Sequence, residues 1–207
     1  MVNTKQLKEN PVLCIDTETG GFNPEKDALC SVSIMLVDGS NSKTWFIRPY
    51  EKNYDEKALR VNGLNKTFLK DQGVYLEEFA LDLIKYCNKH FGKDNYGLIQ
   101  LLGHNVSFDI GFIKEMFNND LDITQNNKEF KYKDLFHYHF KDSMILANMI
   151  KDLGLIPIKQ SISLKPLYEH LIGQDELSNN AHSSLADVTM SLEVYANILK
   201  KLKTDIK

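Results

Sequence analysis

The chain has 207 residues, a net charge of −3 and an apolar share of 43%, which fits one globular domain over 1–207 whose core needs no staples. The acidic balance excludes a strongly basic nucleic-acid binder but not a nuclease, since acids gathered at a metal are neutralised by it and short single strands need few lysines. Residues 1–10 are polar, the apolar run from Val12 to Ile15 is too short for a signal core, and nothing approaches the ~20 apolar residues of a membrane helix. A cytoplasmic protein with no membrane partner is expected, its three cysteines (Cys14, Cys30, Cys87) read as reduced core thiols.

Residues 12–17 (VLCIDT) predict a buried strand, and 18–27, with two glycines and an Asn-Pro pair, a loop. Residues 28–37 suit a central strand, 38–41 a hairpin turn at Gly39, and 43–49 its partner strand. Helical spacing runs over 54–91, divided by Gly63 and Gly73, with Phe79, Leu83 and Cys87 on one face. A buried strand is expected at 97–103 and a helix at 106–117. A polar, asparagine-rich surface loop follows at 120–133 and a short strand at 134–141. Asp142 is placed as cap of a helix over 143–153 closed by Gly154, Ser163 as cap of a helix over 163–172, residues 173–181 as loop, and a final amphipathic helix over 184–203. Three strands joined by short turns form an antiparallel meander. The later strands return through helices and can lie parallel, so the class is α/β with a mixed sheet.

The chemistry lies in five residues. Asp16 and Glu18, two apart on a strand, share a face and can hold one cation or bridge two, although two solvated acids at a strand end would look the same. Asp109 falls in the first turn of a predicted helix, after His104 and Asn105, where acids are common in any case. The turn after Glu18, Thr19-Gly20-Gly21, can bring backbone N–H groups close to a phosphate, or be an ordinary turn. Phe108 reads as core or as a base-stacking platform. Asp187 also completes a capping box with Ser184. His182, five residues before Asp187, is a surface histidine or a mobile base titrating near pH 6.5. Four acids brought together repel unless cations bind among them, which points to metal-assisted phosphodiester cleavage.

Taken jointly, DTETGGF at 16–22, GHNVSFD at 103–109 and HSSLAD at 182–187 resemble, in order and separation, the DEDDh 3′–5′ exonucleases, which include the proofreading epsilon subunit of bacterial DNA polymerase III. The resemblance covers about residues 11–200. It implies a ribonuclease H-like three-layer fold with a five-stranded mixed sheet. It implies two divalent cations, Mg²⁺ or Mn²⁺, on Asp16, Glu18, Asp109 and Asp187, and His182 as general base. It further implies a terminal-nucleotide site of Asn105, Phe108, Phe22 and the backbone near Thr17 and Thr19. The substrate implied is the 3′ end of single-stranded or frayed DNA, with RNA as the alternative, and a DNA polymerase is the partner such a fold suggests. Asn62, in RVNGLN at 60–65, stands where the family often has histidine, Ser184 replaces a common alanine, and 120–133 has no family counterpart. The final helix is expected to end by about Lys203 with no extended tail after it, an expectation that favours a stand-alone trimming or repair enzyme over a tethered proofreader. The readings from other classes are a non-catalytic scaffold, such as a polymerase accessory protein, and a carboxylate site for another phosphate ester or Ca²⁺; the chain has no EF-hand pattern.

Overall fold

The computed structural model describes residues 11–205 except 126, 127 and 182. In chain order, β1 (Val12–Thr19), β2 (Leu29–Leu36) and β3 (Lys43–Phe46) are followed by α1 (Glu56–Val61), α2 (Lys66–Gln72) and α3 (Leu76–Phe91). Next come β4 (Gln100–Gly103) and α4 (Val106–Glu115), which runs on into a π turn at Met116–Asp120. A small hairpin, β5 (Thr124–Gln125) and β6 (Lys128–Glu129), precedes α5 (Tyr132–Leu135), β7 (Lys141–Asp142) and α6 (Ser143–Asp152). The chain closes with α7 (Leu164–Leu171), α8 (Glu176–Asn179) and α9 (Ser184–Asp205).

The main sheet has the order β3-β2-β1-β4-β7. β1, β2 and β3 form the expected antiparallel meander, while β1–β4 and β4–β7 are parallel. β1 is the centre strand and is covered on both faces, which explains its unbroken apolar run. Leu13 and Ile15 pack with Phe79 and Leu83 of α3 and with Phe112 and Ile113 of α4. Val12 and Cys14 pack with Met35, Leu102 and α9 residues Val188, Leu192 and Tyr195. α6, α7 and α9 close a further cluster around Ala147, Leu167 and Val194. The result is the three-layer ribonuclease H-like fold. Cys14, Cys30 and Cys87 are free and buried, and no helix among the described residues is long and apolar enough to cross a membrane.

Three expectations are corrected. The strand expected at 134–141 is only Lys141–Asp142, since α5 and a lone bridge from Phe136 to Ile99 take the earlier residues. The segment 120–133 is not a plain surface loop: Ile123, Phe130 and Tyr132 are buried in the main core, and Asn118 anchors Tyr132 N–H at 3.1 Å. Its abundant asparagine masked three well-spaced core residues. The stretch 173–181 holds α8, nucleated by a reciprocal cap between Asp175 and Ser178.

Candidate active site

The period of two that buries β1 also sorts its polar end. Continuing from Cys14, Asp16 and Glu18 emerge on the α9 face, and Thr17 emerges on the α4 face with Ile15. Asp187, in the first turn of α9, meets the pair: one oxygen from each of Asp16, Glu18 and Asp187 lies within 4.8 Å of the others. α9 begins over the sheet because the buried Ser184 hydroxyl bonds to those of Ser33 (2.8 Å) and Ser31 (3.2 Å), the register partners of Asp16 and Glu18. Ser184 is therefore helical and turned inward rather than a cap. It is the Ser183 carbonyl that receives the Asp187 N–H, at 2.9 Å.

Asp109 arrives from the other side. Asn105 adopts a left-handed conformation (φ 60°) at the start of α4. The Asp142 carboxylate accepts the backbone N–H groups of Asn105 and Val106, both at 3.0 Å, and of Met144 and Ile145, at 2.8 and 3.4 Å. One side chain thus caps α4 and α6 together. One turn further, Asp109 is 4% exposed, and its Oδ1 accepts the Thr17 N–H (2.8 Å) and hydroxyl (2.7 Å). It stands beside the three clustered acids, close enough for its charge to act on Asp16 and Glu18.

Asp16 and Glu18 keep some contact with solvent, yet burial, then the neighbouring acids, hold the Asp16 carboxyl well above the usual range. Burial and the charges of Asp187 and Asp109 push Glu18 up to about 8. Burial outweighs the Thr17 hydrogen bonds and leaves Asp109 at about 7. An all-oxygen donor set carrying this much mutual repulsion suits a hard divalent cation. A pH dependence follows. Without metal, the folded protein keeps protons that the unfolded chain has already released, so its stability falls as pH rises from about 4.5 towards 8. A cation displaces those protons. The gain in melting temperature on adding Mg²⁺ or Mn²⁺ to EDTA-treated protein is therefore expected to be larger at pH 8 than at pH 6; equal gains would show that other groups hold the ion.

Beside the carboxylates opens a cleft of about 610 Å³. Thr17 to Gly21 form its floor, Phe22 and Phe108 one wall, and Ala58, Val61 and Asn62 the other. Phe22 is 88% exposed with its ring 6.4 Å from that of Phe108, which is half-buried and packs on Phe112 of the core. The hydroxyl of Thr19 is used internally, on the Gly21 carbonyl at 2.6 Å, and Asn62 Nδ2 donates to the Thr19 carbonyl at 3.1 Å. Gly20 is required for packing rather than phosphate approach. A Cβ there would stand 2.6 Å from the Asn53 carbonyl, and its N–H already bonds Ala28 O at 2.7 Å.

Of the residues singled out in the sequence, Thr17, Thr19, Phe22, Asn62 and Phe108 line the cleft, with the acids at its edge. Asn105 is exposed at the helix start and does not line it. His182 lies outside the described residues. Missed in the sequence were Ala58, Val61 and Lys57 on the α1 wall. Val61, an exposed aliphatic directly before an Asn-Gly turn, carried the only signal.

A family model described as RNase_T exonuclease matches residues 13–195. Ribonuclease T of Shewanella denitrificans is 26% identical over 199 residues, covering 91% of this chain and 80% of its own length. Ribonuclease T of Vibrio campbellii is 24% identical over 201 residues, covering 91% and 85%. Among solved structures, E. coli Exonuclease I in complex with a dT13 oligonucleotide aligns at a TM-score of 0.72 and 17% identity over 94% of this chain and 42% of that one. Exonuclease I from Methylocaldum szegediense aligns at 0.66 and 16% over 93% and 41%. This chain spans about two fifths of the length of those structures, and likeness at such identity establishes the shared fold.

Proposed function

Because this chain belongs to the RNase_T exonuclease family of DEDDh-type, metal-dependent 3′–5′ exonucleases, we propose that it removes nucleotides from the 3′ end of single-stranded or frayed DNA in the cytoplasm, releasing nucleoside 5′-monophosphates. The observation that carries this reading is the meeting of Asp16, Glu18 and Asp187 within 4.8 Å at the edge of the aromatic cleft.

In this reading the three clustered acids, with Asp109 beside them, would hold two Mg²⁺ or Mn²⁺ ions. When bound, such ions supply Lewis-acid polarisation of the phosphodiester and lower the pKa of water. The protein's own groups do the rest. Phe22 and Phe108 stack the terminal base against the Val61 wall. Thr17 and Thr19 contribute backbone, since their hydroxyls are engaged with Asp109 and Gly21. Asn62, tied to the Thr19 carbonyl, fixes the width of the slot. His182, five residues ahead of Asp187 in the chain, accepts the proton of the attacking water.

A circularised single strand, having no 3′ hydroxyl, is expected to survive conditions that degrade its linear form. Degradation of circles would refute exonuclease action. RNA is the second reading, favoured by the name Ribonuclease T carried by the sequence relatives. Side-by-side rates on 3′-labelled single-stranded DNA, mispaired duplex DNA and short RNA decide between them. A DNA polymerase partner belongs to the proofreading form of this proposal, which preferential removal of a mispaired terminus would support.

A further inference from the structure

A second groove, about 800 Å³ in volume, adjoins the cleft on the far side of α1. The two share Val61 and Asn62 as a common ridge. The start of α9 lines the groove through Leu185 and Ala186, with Ser183 just ahead of them, all next to Asp187 in the chain. Glu18 lines the cleft and Asp187 directly follows Ala186 of the groove, so the carboxylate cluster reaches from one depression towards the other. An exonuclease has to hold the terminal nucleotide on one side of the scissile phosphate and the remaining chain on the other. The aromatic cleft serves the first need, and this groove is continuous with it.

Its chemistry suits a sugar–phosphate strand. Val61 and Leu185 are exposed apolar surfaces for sugars and bases, and Asn179 offers an exposed amide on the opposite wall. Arg60 is the one cation of the lining, and its guanidinium makes no hydrogen bond or ion pair among the described residues, while its backbone carbonyl accepts the Gly63 N–H at 3.2 Å. The chain has only one other arginine, Arg48. Its guanidinium is occupied with the Lys70 carbonyl (2.9 and 2.6 Å) and lies over the Tyr75 ring.

We propose that this groove binds the nucleotides on the 5′ side of the scissile bond, with Arg60 pairing a backbone phosphate upstream of it. The inference rests on the exonuclease reading above. The probes are oligodeoxythymidylates and oligouridylates of two to six nucleotides. For the natural protein, KM is expected to fall as length grows from two to four. In Arg60→Ala the KM ratio between hexamer and dimer rises about tenfold, and the slope of log KM against log salt on the hexamer drops by about 0.7, one single-strand phosphate contact. Arg60→Lys restores much of the loss, and Asn179→Asp, from the opposite wall, acts in the same direction as Arg60→Ala. An unchanged hexamer-to-dimer ratio and salt slope in Arg60→Ala would overturn the groove. Failure of the natural protein to cut either dimer or hexamer would instead overturn the exonuclease reading itself.

Discussion

Asp16→Asn is expected to abolish cleavage while making the metal-free protein more stable. Loss of a ligand carboxylate removes several kcal/mol of transition-state charge stabilisation; at ~1.4 kcal/mol per factor of ten, turnover falls by about 10³-fold or more. The same change removes one of the mutually repelling acids whose burial and proximity hold Asp16 well above its ordinary pKa. In a chain of this size each kcal/mol of relief raises the melting temperature by roughly 2–4 °C. Activity assays and thermal melts in EDTA test both halves. Cleavage near the natural rate would remove Asp16 from the site, and a lowered melting point would show that its carboxylate supports the fold.

His182→Ala is expected to slow turnover by about 10²–10⁴-fold, the span of a general base, while divalent-ion binding stays close to that of the natural protein. Calorimetric titration with Mn²⁺ separates the two roles: a lost binding isotherm would make His182 a ligand. The pH–rate profile adds an independent reading, because the part of its acidic limb that the His182 imidazole contributes should be lost in the variant.

Much of this site was legible because strand geometry is strict. With Val12 to Ile15 as a buried strand, alternation alone puts Asp16 and Glu18 on one face, and the β1 register bears that out. Asp187 was harder. The helix pattern around it fitted a cap equally well, and only the inward hydroxyl of Ser184, bonded to Ser31 and Ser33, separates the two. Local spacing makes Asp142 the cap of its own helix, yet it also fixes the start of α4. A contact between residues 36 positions apart leaves no trace in local spacing. The 120–133 segment failed for the opposite reason: local polarity was read correctly, but its few apolar residues find partners on distant elements. The α1 wall of the cleft left only the faint signal of an aliphatic before an Asn-Gly turn, since Val61 acquires its meaning from the cleft it lines.

The Ser184 hydroxyl bonds also bear on timing. Asp16, Glu18 and Asp109 are all in place by the middle of the chain, but the partner that completes their cluster sits on the last helix, seated on the sheet through Ser31 and Ser33. During synthesis the amino-terminal part folds first. A nascent chain therefore carries the sheet and an incomplete acidic cluster until α9 has left the ribosome and docked, so the site is assembled later than the scaffold that holds it.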